Sequence, residues 1–335
     1  MPKLTMVQAI NLGLDQEMAR DDAVIVLGED VGQDGGVFRV TDGLLAKYGE
    51  ARVIDTPLAE SGIIGTSIGM ALAGLRPVAE MQFCGFSYLM LPQLEGHASR
   101  FRSRSHGQFT CPLVVRIPYG GGVRALEHHS EAREVLYAHM PGVKMVAPSG
   151  PRNARALIVA AIRDPDPVVY YEPKRSYRAF REEVPEESEV LPIGAAQVAH
   201  EGTDLTVITW GAMMRPTLQA IEDLQQARRA SIELVDLLTI APLDVETVAT
   251  VLDLVAAGVG DTILERGLLV ARGGGMSKRI GWVPFADPIM ITLAFVTRRD
   301  APLSPAARVM VELVEERLRA TSAALAKTPR RRLPS

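Results

Sequence analysis

Runs of β-branched and other apolar residues alternate along the chain with segments of helical spacing. AVIVLGEDV (23–31), GLRPVAEMQF (74–83), CPLVVRIPY (111–119), GVKMVAPS (142–149) and PVVYYEP (167–173) read as buried strands. Between them SGIIGTSIGMALAG (61–74) and PRNARALIVAAIRD (151–164) read as helices, the second opening on Pro151, where a first turn tolerates proline. The small residues of the first of these helices allow close packing, which places it in the middle of the domain. The N-terminal stretch through Asp22 has an amphipathic helical pattern. Strands alternating with helices predict an α/β fold with a parallel sheet covered on both faces.

A charged, proline-containing segment, 180–192, reads as a linker. A second α/β unit follows. DLTVITWG is a strand, RPTLQAIEDLQQAR a helix, SIELVDLLTIAP (231–242) a strand and VETVATVLDLVAAG (245–258) a helix. The 335 residues suit about two domains. With 47% hydrophobic and 23% charged residues the chain can bury a sizeable core, which excludes disorder and a small stapled scaffold. A net charge of −4 gives no field over the whole surface for nucleic acid, and only the closing KTPRRRLPS is locally basic. The most apolar stretch, Ile63 to Gly74, is shorter than the roughly 20 residues that a membrane helix needs. Cys84 and Cys111 form no CxxC pair, in keeping with a reducing compartment and no zinc site. With no signal-peptide core at the N-terminus, the expected location is cytoplasmic.

Two places carry candidate chemistry. Glu60, in DTPLAESGIIGT, stands at a helix start, where a carboxylate either complements the helix dipole or is held over a cleft for acid–base work. His128 and His129 follow three glycines in GGGVRALEHHSEARE. Neighbours on an extended segment point opposite ways, so one is expected at the surface and the other either hydrogen-bonded or serving as a proton donor near neutral pH. Neither PYGGGV nor EDVGQDGG has the spacing of a phosphate loop. A diphosphate ligand would need another chain.

Taken in order, VLGEDVGQDGGVF, VIDTPLAESGIIGTSIGMALAGLRPVAEMQF, CPLVVRIPYGGGVR, HHSE, AIRDPDPVVYYEPKRSYR and IELVDLLTIAPLDVETV resemble one family. It is the β-subunit of the thiamine-diphosphate-dependent decarboxylase component of 2-oxo acid dehydrogenases, of the pyruvate and branched-chain 2-oxoisovalerate type. The resemblance spans residues 1–248. It implies a transketolase-like pyrimidine-binding domain over 1–180, a linker over 181–195 and the start of a transketolase C-terminal-like domain over 196–250. It further implies oxidative decarboxylation of a 2-oxo acid and passage of the acyl group to a lipoyl acyltransferase. An α-subunit in an α2β2 assembly would hold the diphosphate and magnesium.

The family's site maps onto Glu60 as the carboxyl at the aminopyrimidine nitrogen, Phe86 as the ring that stacks on it, and Leu58 and Gln82 beside it. His129 would serve the substrate carboxylate or the lipoyl group, with His128 at a non-catalytic position. Leu113, Ala161, Ile162, Asp164 and Asp166 match a structural potassium site of some members. Pro92 replaces a usual acidic residue, and HMPG the commoner HTPG.

After PLDVETV the resemblance changes. VAAGVG, LAFVTRRD and LSPAAR, in that order, are similar to the end of the effector-binding domain of LysR-type regulators. Residues 251–320 are thus expected to depart from the dehydrogenase pattern, with a fusion point near 248–252 and a basic tail over 321–335. No DNA-binding helix-turn-helix accompanies them. The altered segment puts docking of the acyltransferase in doubt. The alternatives to an enzyme subunit are an inactive fusion remnant and a small-molecule-binding module.

Overall fold

The computed structural model describes residues 1–228, 231–243, 261–265, 280–284 and 293–298. The described elements run β1 (Lys3–Leu4), α1 (Met6–Arg20), β2 (Val24–Gly28), α2 (Leu44–Tyr48), β3 (Val53–Asp55), α3 (Glu60–Leu72), β4 (Arg76–Glu80), α4 (Leu91–Gly96), α5 (Phe101–Arg104) and β5 (Val114–Tyr119). They continue with α6 (Glu134–Ala138), β6 (Lys144–Val146), α7 (Pro151–Arg163), β7 (Val168–Pro173), β8 (Glu182–Glu183), β9 (Gln197–His200), β10 (Leu205–Thr209), α8 (Met214–Arg228), β11 (Ile232–Asp236) and β12 (Thr239–Ala241). Three strands follow: β13 (Asp261–Glu265), β14 (Ile280–Pro284) and β15 (Leu293–Arg298).

The chain forms two compact units. The first takes residues 1–197 with 210–216 and 236–243. Its seven-stranded sheet has the order β12-β6-β7-β5-β4-β2-β3. Six neighbouring strands are parallel, with Val26 opposite both Val53 and Val78, Val78 opposite Val114, and Val114 opposite Val168. The seventh, β12, runs antiparallel to β6, so the sheet is mixed rather than wholly parallel. Helices α1 and α7 pack together over one face. Met6, Ile10, Leu14 and Met18 of α1 meet Leu157, Ile158 and Ala161 of α7 in the core. Gly13 permits the approach, because a Cβ there would stand 2.5 Å from Ile158 Cγ2.

The second unit holds a six-stranded sheet of order β14-β15-β13-β10-β11-β9. Strand β13 is parallel to β10, whereas β15 is antiparallel to β13 and β14 antiparallel to β15. DTILERGLLVA and ITLAFVTRR, which read as strand-like runs in the sequence, contain β13 and β15. The hairpin partner β14 carries no such expectation. The helix expected at 245–258 and the run SPAARVMVELVEERLRA, whose spacing reads as an amphipathic helix, lie outside the described residues.

Several expectations need correction. The single strand expected over 231–242 is two, in different sheets, because Leu238 adopts a φ of 53° that breaks the run. The segment 180–192 is not a free spacer. Its Glu182–Glu183 pairs with Lys3–Leu4, Glu189 forms a 2.6 Å ion pair with Arg152, and Leu191 packs against the core. Helix α3 is not central. It buries Ile63, Ile64, Ser67, Ile68 and Ala71, while a Cβ on Gly69 would meet open space and Leu72 is exposed. Among the described residues no helix is long and apolar enough to cross a membrane. Cys84 and Cys111 are free and buried.

Candidate functional site

In a parallel sheet the loops that follow the strands gather at one edge, where ligands usually bind. Here that edge carries Glu29 and Asp30 after β2, Thr56 after β3, Gln82 and Phe83 after β4, Gly120 after β5, and Lys174 after β7.

Glu60 is the first residue of α3 and is only 4% exposed. The helix lacks a side-chain cap at Ala59, and Glu60 Oε2 is buried with no hydrogen-bond partner. A carboxylate serving merely to complement the dipole would sit in solvent or on an amide. A buried acceptor left open is costly unless something else fills it. Glu29 lies nearby, and its Oε1 is likewise buried and unpartnered. Burial pushes the Glu29 carboxyl above its usual range, and the neighbouring charges of Glu60 and Asp30 push it further. Thr56 Oγ1 is a third open polar atom in this region. These groups suit a ligand that offers ring nitrogens and amino hydrogens, and such a ligand fits the pyrimidine half of thiamine diphosphate.

The flanking residues form two sets. Gln82 Nε2 donates to Asp30 Oδ2 at 3.1 Å, tying it to the carboxylate cluster. Phe86 lies in a 3-10 turn, Cys84–Met90, and its ring meets those of Phe83 and His129. The His129 ring stands edge-on to Phe83 at 4.3 Å and to Phe86 at 5.2 Å. Leu58 is 72% exposed in the loop before α3. The two histidines are not on an extended segment as expected, since Glu127–His129 is a 3-10 turn. Both imidazoles therefore approach Phe86, with His128 farther at 6.3 Å and 3.5 Å from Glu131 Oε1.

Beneath the edge lies a fully buried ionic network. Arg116 on β5 binds Glu80 on β4 and Glu172 on β7, the latter at 2.7 and 2.9 Å, and Tyr177 donates to Glu172 at 2.7 Å. Burial would lower the Arg116 pKa, but the two carboxylates outweigh it and hold the guanidinium above its ordinary range. The sequence reading missed Glu29, Lys174 and this network. For Glu29 a signal exists, an acidic pair directly after five apolar strand residues. The other two have none.

Leu113, Ala161, Ile162, Asp164 and Asp166 do come together, but their oxygens are engaged by protein donors. Leu113 O accepts from Val168 N at 2.9 Å and Ile162 O from Arg76 at 2.8 Å. Asp164 binds Lys144 at 2.7 and 2.8 Å, and Asp166 binds Arg102 at 2.7 Å. Three cationic side chains, Arg76, Lys144 and Arg102, thus stand at the positions expected to hold potassium. Among the described residues no three His, Cys, Asp or Glu side chains are grouped to hold a metal.

The comparisons with known proteins agree with this fold. Residues 2–179 match the family described as transketolase, pyrimidine binding domain, and residues 194–257 match transketolase, C-terminal domain. The fold and site thus define a transketolase-type protein. A solved structure titled split gene transketolase, inactive beta4 tetramer, superimposes with a TM-score of 0.61 at 19% identity, over 76% of this chain and 77% of that one.

The pyruvate dehydrogenase E1 component subunit beta of Acholeplasma laidlawii is 54% identical over 245 residues, 73% of this chain and 75% of that one. The subunit of the same name from Bacillus subtilis (strain 168) is 49% identical over 74% of this chain and 76% of its own. That from Staphylococcus aureus (strain N315) is 44% identical over 304 residues, 86% of this chain and 92% of that one. This chain belongs to the E1 β-subunit family of the 2-oxo acid dehydrogenases. The C-terminal-domain match passes the expected fusion point near 248–252, and the regulator-like origin expected for 251–320 finds no support in these comparisons.

Proposed function

We propose that the chain supplies the aminopyrimidine side of a thiamine diphosphate site and, with an α-subunit in an α2β2 assembly, decarboxylates pyruvate or a branched-chain 2-oxo acid. The observation that carries this reading is the buried, open Oε2 of Glu60 at the ligand-binding edge of a family-matched sheet. Thiamine diphosphate, when bound, supplies an acidic thiazolium carbon and an electron sink for the carboxylate's bonding pair.

Glu60 would hold or release a proton at the pyrimidine nitrogen through Oε2. Glu29 stands beside it, its carboxyl held above its usual range by burial and by the charges of Glu60 and Asp30. Phe86 would stack on the ring, with Gln82 and Leu58 bordering it. His129, between Phe83 and Phe86, would serve the substrate carboxylate or an incoming lipoyl group. The diphosphate and magnesium would fall to the α-subunit, and the proposed compartment is the cytoplasm. A lipoyl acyltransferase would receive the acyl group.

The test is an acceptor-coupled assay on the chain co-purified with an α-subunit of this family, offered pyruvate and 3-methyl-2-oxobutanoate separately. Turnover of one or both, dependent on thiamine diphosphate, is expected. An assembled complex inert toward 2-oxo acids would overturn the reading. The substrate preference then follows directly, since one methylene of selectivity is worth only about 1–3 kcal/mol.

A further inference from the structure

Lys174 follows β7 in a 3-10 turn, Lys174–Ser176, and is buried. Its Nζ donates to the main-chain carbonyl of His129 and lies 5.0 Å from the centre of the Phe83 ring. Among the described residues no carboxylate pairs with it. Burial draws its pKa down to about 8, only partly opposed by Cys84. An ammonium kept in such a place costs desolvation that a methionine would not incur.

What it grips is a turn that is itself tightly seated. A Cβ on Gly85 would stand 2.3 Å from His128 O and 2.6 Å from His128 Cα, so the Glu127–His129 turn rests directly on the backbone of the aromatic turn. The His129 ring meets Phe83, and Phe83 in turn faces the ammonium. One side chain therefore reaches both the carbonyl of the histidine and the ring that orients its imidazole.

We infer that Lys174 is a positioning residue, clamping the Glu127–His129 turn so that the His129 imidazole is held against Phe83 and Phe86. This rests on the role proposed above for His129. The charge is required because a hydrogen bond from an ammonium is roughly twice as strong as a neutral one. Geometry is required because a displacement of about 1 Å at a reacting group can cost about 100-fold in rate.

Two measurements on Lys174→Met decide it. Hydrogen–deuterium exchange on the full chain alone should quicken over residues 120–133 and stay unchanged over helix α3. In the complex with an α-subunit, acyl transfer to lipoyl should fall by about 10- to 100-fold with thiamine diphosphate affinity unchanged. Lys174→Arg should recover most of that loss, and Lys174→Met combined with His129→Ala should be no slower than His129→Ala alone. Unchanged exchange, failure of arginine to rescue, or losses that multiply in the double variant would overturn the clamp. If His129→Ala were fully active, the role proposed for His129 would fall, while the exchange result would still decide the clamp.

Discussion

Glu60→Ala, assembled with an α-subunit, should lose about 10²- to 10⁴-fold in decarboxylation, the usual range for a general acid–base group. The complex should still form. Stability should move in the opposite direction to activity, which separates this residue from a structural one. Glu60 Oε2 has no protein partner, and Glu29, with its own open oxygen, feels the Glu60 charge. Removing the carboxylate therefore removes a burial cost and a repulsion rather than a bond. The thermal midpoint should hold or rise, and the Glu29 carboxyl should titrate lower once one of the charges raising it is gone. Glu60→Gln keeps the shape and should be similarly impaired. Retention of more than about a tenth of the rate, below the general acid–base range, would remove Glu60 from the chemistry.

Arg116→Leu should be the most destabilising single change in the first unit. Its guanidinium is fully buried between Glu80 and Glu172, and truncating it leaves two carboxylates facing each other without a cation. Breaking a buried pair from one side typically costs about 3–5 kcal/mol. The loss should depend on pH. Burial already raises the Glu80 carboxyl, even with Arg116 beside it. Without Arg116 the folded-state pKa rises further above the unfolded value, so the folded variant binds protons that the unfolded chain does not. Its stability then falls as pH rises through the window between those two values. Urea unfolding should show a larger deficit against the wild type at pH 8 than at pH 5. A small deficit with no pH dependence would mean that the network contributes little.

The parallel strands were legible because they are buried on both faces and read as apolar runs, as in VIVLG and VVYY. The same feature concealed β12. LVDLLTIA is apolar but for Asp236 and Thr239, and nothing in its composition announces the positive φ of Leu238 that divides it. Small residues in α3 show that a close neighbour is permitted without saying which, and within this chain the face around Gly69 is open.

Site residues divide the same way. Glu60 and Phe86 lie in ordered strings to which the family resemblance assigns a role, whereas Lys174, in the EPKRSYR of another such string, receives none. Its burial arises from the approach of the Glu127–His129 turn, separated from it by some 45 positions in sequence, the kind of fact that only the folded chain supplies. The surroundings of the expected potassium cluster were hidden for a related reason. The oxygen donors were visible, but Arg76, Arg102 and Lys144 reach them from three other segments.

The central claim is that this chain holds one half of a cofactor site that a second chain completes. Calorimetric titration of thiamine diphosphate with magnesium tests it most directly, run on the chain alone and on the chain assembled with an α-subunit of the family. The expected result is magnesium-dependent binding by the assembled complex, none by the chain alone, and weakened binding when Glu60 is replaced by Ala. Tight, magnesium-dependent binding by the chain alone, or binding by the complex that ignores the loss of Glu60, would contradict it.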